Sequence, residues 1–276
     1  MITVTDLRCA YGDKPVLDIP AYEMTPGVHG IVGLNGAGKT TLLNALYGFG
    51  RNTTAKVQWK GADMGHWNTA FQEAESYFHP GITGGEYLQL FMRGGSTEDL
   101  PGLNDLLELP LDDLITTYST GMRRKLAILG VLQLDRAVLL LDEPMNGLDL
   151  ASVRVLEAIV RKLAEKGRTI LITSHVLGPL VTMCDRIHLL QHGRFTRVFE
   201  RGATVGLEEA LFTELDRRTN TVLDTWGADG TRDPSSFPNR SDLHGAHRPH
   251  PHHKQANEHS WWQSLPILIC PGSGSD

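Results

Sequence analysis

Residues 33–41 read Gly-Leu-Asn-Gly-Ala-Gly-Lys-Thr-Thr. Gly33, Gly38, Lys39 and Thr40 satisfy the phosphate-loop pattern, and the flanks supply its context. An apolar run, Val28 to Val32, leads in, and Leu42, Leu43, Ala45 and Leu46 follow, so strand, loop and helix succeed one another. Phosphate oxygens concentrate negative charge. Backbone N–H groups over Asn35, Gly36, Ala37, Gly38, Lys39, Thr40 and Thr41 can cup them, helped by the positive end of the helix. Lys39 should reach the outer phosphates, and the Thr40 hydroxyl should bind Mg²⁺. The pattern points to a nucleotide triphosphate.

Five further groups carry chemistry. Val138-Leu139-Leu140-Leu141 reads as a buried parallel strand and ends in Asp142-Glu143-Pro144. Acids at the carboxyl end of such a strand lie where α/β sheets bind ligands. Asp142 suits Mg²⁺ through water, and Glu143, facing the other way, could polarise an attacking water. Ser174-His175 closes a second buried strand, Thr169 to Thr173, which puts His175 with the acids and within reach of a γ-phosphate. Gln72 offers a carboxamide that could complete a Mg²⁺ shell, or a solvated loop glutamine. Tyr11, just upstream of the loop, could stack on an adenine ring or be a packed surface aromatic. Ser119 in Tyr118-Ser119-Thr120-Gly121-Met122 caps a basic-apolar helix and Gly121 keeps its entrance open. That entrance could be a second anion site or an ordinary cap.

The elements that must position these groups follow from periodicity. Ile2 to Arg8 alternates apolar and polar, an edge-strand pattern, and Val16 to Ile19 is a second strand. The helix from Lys39 should stop at Gly48, and Ala55 to Lys60 is strand-like. Residues 66–80 lack clean periodicity. Residues 81–118 look helical, with breaks at Gly94-Gly95 and Pro101-Gly102. Two amphipathic pieces result: Leu88, Leu90 and Phe91, then Leu103, Leu106, Leu107 and Leu109. Asp149 is a good cap for a helix carrying Val153, Leu156, Val160 and Leu163 on one stripe and closing at Gly167. Val176 to Cys184 is helical, and Ile187–Gln191 pairs with Phe195–Phe199 across His192-Gly193. The fold class is α/β: a phosphate-loop core, a small antiparallel β subdomain, and an α-helical insertion at about residues 75–125.

Composition sets bounds. The 276 residues are 41% hydrophobic and 21% charged, ordinary for a globular protein. A net charge of −6 argues against broad nucleic-acid binding. No apolar run approaches the roughly 20 residues that cross a bilayer, and the N-terminus lacks a basic-then-apolar secretory pattern. Cys9, Cys184 and Cys270 are isolated, which suits a reducing cytosol and gives no metal-site spacing.

Taken in order, these pieces resemble the ATP-binding cassette ATPases over about residues 1–200. Tyr11 matches the adenine-stacking aromatic, Gly33 to Thr41 the phosphate loop, and Val138 to Glu143 the second nucleotide motif with its catalytic glutamate. Asn146 to Asp149 matches the loop coupling two sites, and His175 the switch histidine. Tyr118 to Met122 stands where the family usually has Leu-Ser-Gly-Gly-Gln. The resemblance implies an ATPase domain over residues 1–219. Two copies would stack head to tail around ATP and Mg²⁺, with Ser119 and Gly121 of each touching the γ-phosphate held by the other. It implies a separate transmembrane permease, docked near residues 72–95 at the cytoplasmic face of the membrane. The signature variant, the Thr-Gly-Gly-Glu-Tyr-Leu run at Thr83 and the short insertion look most like exporter cassettes that move antibiotics, peptides or lipids.

Two departures stand out. Counting back from Pro80, the family spacing for the Mg²⁺-contacting glutamine lands near Ala74. A shifted loop gives the role to Gln72, and otherwise Glu73 carries it or the contact is weakened. Thr120 and Met122 also replace signature residues. The rival expectations are a soluble cassette ATPase serving nucleic acid or Fe–S assembly, and a regulatory ATP binder with weak turnover.

Residues 220–276 read as a disordered tail. It holds His244, His247, His250, His252, His253 and His259 at no fixed coordination spacing, then Trp261-Trp262 and an apolar stretch from Leu265 to Ile269. Its abrupt composition even permits a frameshifted reading.

Overall fold

The structure is a computed structural model that describes residues 1–49, 53–92 and 100–228. The Gly94-Gly95 break and the histidine-rich and apolar parts of the tail lie outside the described residues. Chain order is β1 (Ile2–Tyr11), β2 (Lys14–Met24), β3 (Gly27–Val32), α1 (Lys39–Tyr47), β4 (Thr53–Trp59), β5 (Ala62–Asp63) and β6 (Thr69–Gln72). There follow α2 (Gly84–Gln89), α3 (Leu100–Leu107), a 3₁₀ turn (Ile115–Thr117), α4 (Thr120–Gln133), β7 (Val138–Leu141) and α5 (Leu150–Glu165). The chain continues through β8 (Thr169–Thr173), α6 (Leu177–Met183), β9 (Arg186–Gln191), β10 (Arg194–Glu200) and α7 (Leu207–Ala228).

Two sheets form. One is antiparallel, in the order β2-β1-β4-β5; the other runs β10-β9-β3-β8-β7-β6. In the second, β6, β7, β8, β3 and β9 are parallel neighbours and β10 returns antiparallel. The parallel strands explain their own sequences. Leu139 and Leu141 enter one core while Val138 and Leu140 enter the other, and Ile170 and Ile172 oppose Leu171 in the same way. A strand buried on both faces needs apolar residues at every position, so no alternation survives. One core packs against α5, α6 and α7. The other lies under α1 and the antiparallel sheet. A third cluster, with Leu88, Leu107, Leu109, Ile115 and Leu126, holds α2, α3 and α4 together.

Four readings of the sequence change. Residues 220–228, read as the start of a disordered tail, belong to helix α7. The alternation in Ile2–Arg8 suggested an edge, yet β1 pairs with β2 on one side and β4 on the other. Its polar positions face outward from a sheet wet on one side, a pattern an inner antiparallel strand can carry. Residues 69–72, which showed no period, form edge strand β6 of the core sheet, because four residues are too few for a period to register. In the helical pieces, Leu90 and Leu106 are exposed while Leu88 and Leu107 are buried.

The two sheets are joined by a buried polar chain. His29 on β3 meets His188 on β9, Nδ1 to Nε2, at 2.8 Å, and His188 Nδ1 meets the Tyr22 hydroxyl of β2 at 2.7 Å. His29 Nε2 lies 2.7 Å from the Thr25 carbonyl, which can only accept. The tautomers follow: Nε2–H of His29 donates to Thr25, Nε2–H of His188 donates to His29, and Tyr22 donates to His188. Burial favours the neutral form of both rings. Burial, reinforced by His29 and Arg186, pushes His188 down to about 3. Burial also lowers His29, opposed by Thr25 and by the charges of Asp185 and Glu200.

A stability prediction follows. An unfolded histidine titrates near 6.5. Below that pH the unfolded chain binds protons that the folded chain refuses, so stability is full above about 6.5 and falls as pH drops toward the folded value. From pH 7.5 to 5.5, His188 alone should remove about 1.4 kcal/mol. Thermal melts at the two pH values should show a lower Tm in acid, and a shallower drop in His188→Leu. Equal drops in the two proteins would remove His188 as the cause.

Candidate functional site

Four parallel strands deliver the site from their carboxyl ends, in the lateral order β3, β8, β7, β6. The phosphate loop leaves β3, Ser174-His175 leaves β8, Asp142-Glu143 leaves β7, and Gln72 ends β6. Neighbouring strands lie about 4.8 Å apart, so groups distant in sequence are brought onto one rim.

The loop after β3 is tightly turned. Ala37 N–H donates to the Leu34 carbonyl at 3.0 Å, and Leu42 N–H donates to the Gly38 carbonyl at 2.8 Å, opening α1. Gly38 caps α1 at φ 103°, and a Cβ there would lie 2.9 Å from Leu17 Cδ2, so only glycine fits. The Lys39 side chain is buried and folds back over the loop, its Nζ donating to the Gly33 carbonyl at 2.8 Å. The ammonium is thereby held where an anion in the loop would lie.

A cleft of about 710 Å³ opens beside the loop. Asn35, Gly36, Gly38, Lys39, Thr40 and Thr41 line its floor, Tyr11 is at its rim, and Glu143 faces in from β7. Tyr11 is 62% exposed, leaving a ring face open to a flat ligand. Sequence reasoning missed one wall, formed by Lys14, Pro15, Val16, His192 and Gly193. The β9–β10 turn closes there because the Asp18 N–H donates to the Gly193 carbonyl at 3.0 Å. No local signal in a hairpin turn marks such a distant contact.

The acids are wired together. Asp142 is fully buried, and the Thr173 hydroxyl donates to its Oδ1 while Oδ2 has no hydrogen-bond partner. Glu143 takes φ 48°, rare for a residue with a side chain. Its N–H donates to Thr173 Oγ at 2.9 Å, and its carboxylate accepts from the His175 N–H at 3.3 Å and lies 2.9 Å from His175 Nδ1. Gln72 is buried beside this pair: the Asp142 N–H donates to its backbone carbonyl at 2.9 Å, and its Oε1 also lacks a partner. Ala74, where spacing pointed, is two residues into the loop, its carbonyl gripped by Arg124. Burial, and then the Asp142 charge, pushes the Glu73 carboxyl up.

These residues fit a Mg²⁺ ion. It takes hard oxygen ligands, usually one or two carboxylates besides phosphates and water. Two buried oxygens without partners, on Asp142 and Gln72, and the Thr40 hydroxyl are that kind of donor. No group of three or more His, Cys, Asp or Glu suited to a metal occurs among the described residues.

Ser119, Gly121 and Asp149 do not line the cleft. Ser119 caps α4, its Oγ accepting from the Met122 N–H at 3.2 Å. Met122 turns into the apolar cluster under α4. Gly121 lies against the Asn146–Asp149 turn so closely that a Cβ would sit 2.7 Å from the Gly147 carbonyl. Asp149 caps α5, and the backbone and hydroxyl of Ser152 hold its carboxylate below the usual range. Lys125 Nζ lies 3.9 Å from Asp149, which ties α4 to the same turn. The entrance of α4 and the turn before α5 therefore form one unit, apart from the phosphate loop.

The family model described as ABC transporter matches residues 22–146. The chain is 33% identical over 196 residues to the uncharacterized ABC transporter ATP-binding protein YhcH of Bacillus subtilis (strain 168), covering 66% of this chain and 64% of the relative. It is 32% identical over 209 residues to the Nod factor export ATP-binding protein I of Ralstonia nicotianae (strain ATCC BAA-1114 / GMI1000), covering 70% and 65%. The chain thus spans less than two thirds of the length of either relative. A solved structure described as an ATP binding subunit of an ABC transporter superposes with a TM-score of 0.69 at 24% identity, covering 78% of this chain and 99% of the other, and shows the same fold.

Proposed function

The chain belongs to the ABC transporter family, and from that premise we propose that it binds and hydrolyses ATP to drive a separate transmembrane permease, as half of an exporter for an antibiotic, peptide or lipid. The observation that carries this reading is the convergence of Lys39, Asp142, Glu143 and His175 at the carboxyl ends of adjacent parallel strands. In it Tyr11 stacks on adenine, and residues 35–41 cup the phosphates. Lys39 and His175 face the γ-phosphate. Glu143, whose carboxylate is held by His175, accepts the proton of the attacking water. Thr40, Asp142 and Gln72 would hold Mg²⁺, which neutralises phosphate charge when bound.

One chain leaves the outer side of that cleft open. Ser119, Gly121 and Asp149 lie elsewhere, and a helix entrance with free N–H groups suits an anion supplied by another molecule. A second cassette, identical or related, placed head to tail supplies them. The chain contributes no span of its own among the described residues, where no helix is long and apolar enough to cross a membrane. In this reading it sits on the cytoplasmic face through the permease. One relative is named for export, which favours the outward direction.

The test is capture of the tagged full chain from detergent-solubilised membranes of its native host. The expected result is an integral membrane protein with several apolar spans in the eluate, and ATPase activity that rises with it. Recovery of nucleic acid with duplex-stimulated hydrolysis would replace the transporter reading.

A further inference from the structure

We propose that Thr173 is a positioning residue for hydrolysis: its single hydroxyl sets the orientation of both acids at the end of β7. The inference rests on the ATPase reading above and assigns a role to a residue outside its motifs. Thr173 is fully buried at the last position of β8. A hydroxyl can donate and accept at once, and this one does both. It donates to Asp142 Oδ1 and accepts the Glu143 N–H at 2.9 Å.

Each bond has a consequence. With Oδ1 occupied, Asp142 keeps Oδ2 buried and without a partner, aimed at one task only. That is the atom left for a cation. The second bond fixes the second peptide N–H beyond β7, where Glu143 leaves the β conformation for φ 48°. A residue with a side chain holds that backbone only when its surroundings over-determine it. Thr173 on one side and His175, at 2.9 Å from the carboxylate, on the other supply the constraint. Valine would fill the same space and supply neither bond.

The test uses the full-length chain with Thr173→Ser, Thr173→Ala and Thr173→Val. ATP affinity is measured in EDTA and in Mg²⁺, and kcat, KM and Tm are measured in parallel. Thr173→Ala and Thr173→Val should keep the EDTA affinity within about 3-fold, since the phosphate loop is untouched. They should lose most of the tightening given by Mg²⁺, so that KM for Mg-ATP rises by the same factor, and kcat should fall about 100-fold, the effect of displaced catalytic groups. Thr173→Ser should stay within about 5-fold of the parent. Equal activity in all three variants, or an equal loss in all three, would overturn the proposal, because the oxygen would then be irrelevant. If Thr173→Val melts below the assay temperature, the serine and alanine pair, which differ by one oxygen, still decides. A parent chain that binds no ATP sinks the site reading itself. A parent that binds and turns over beside an equally active Thr173→Ala sinks Thr173 alone.

Discussion

Glu143→Gln should reduce ATP turnover by about 1,000-fold while leaving ATP binding intact and letting ATP-bound dimers accumulate. General bases contribute roughly 100- to 10,000-fold, and the amide has no basic oxygen for the proton of water. The substitution is close to neutral in shape. The carboxamide oxygen of the variant can still accept from the His175 N–H, which the carboxylate now does at 3.3 Å, and the backbone N–H keeps its bond to Thr173. Binding and closure therefore survive, and only the step that reopens the pair is lost. Phosphate release gives the rate, and light scattering with ATP gives the mass. Hydrolysis at the parent rate would remove Glu143 as the base. A chain that stayed monomeric with saturating ATP would remove the sandwich, because Ser119 and Gly121 would then have no γ-phosphate to meet.

The second large effect is expected at Lys39. Its ammonium is buried, and its one hydrogen bond, to the Gly33 carbonyl, still leaves N–H donors for a phosphate. A charge-assisted bond to an anion contributes about 3 kcal/mol at the upper end, or roughly 100-fold in Kd. Lys39→Ala should weaken ATP binding by that factor, with Mg²⁺ and without it, and hydrolysis should fall with it. Thr173→Ala, in contrast, should act only when Mg²⁺ is present. The two variants thus separate phosphate capture from arrangement of the acids. Equilibrium binding of a fluorescent ATP analogue measures both. Unchanged affinity in Lys39→Ala would mean that the nucleotide does not lie in this loop.

The sequence alone was enough for motifs and caps whose whole signal lies within about ten consecutive residues. The phosphate loop, the acids after Val138–Leu141, the Ser119 and Asp149 caps and the stop at Gly48 are local. Each depends on backbone bonds between near neighbours or on a strand running directly into its own loop. Contacts across strands are not local, and the sequence is silent on them. Only the tertiary structure puts β1 inside its sheet, makes residues 69–72 a strand, and lays Gln72 rather than Ala74 against Asp142. Only it joins Tyr22, His188 and His29 across the two sheets, and Asp142, Thr173 and Glu143 across two strands. Strand order is set by which faces bury together, a property of the whole chain, so the residue that aligns the acids is found 30 positions away from Glu143.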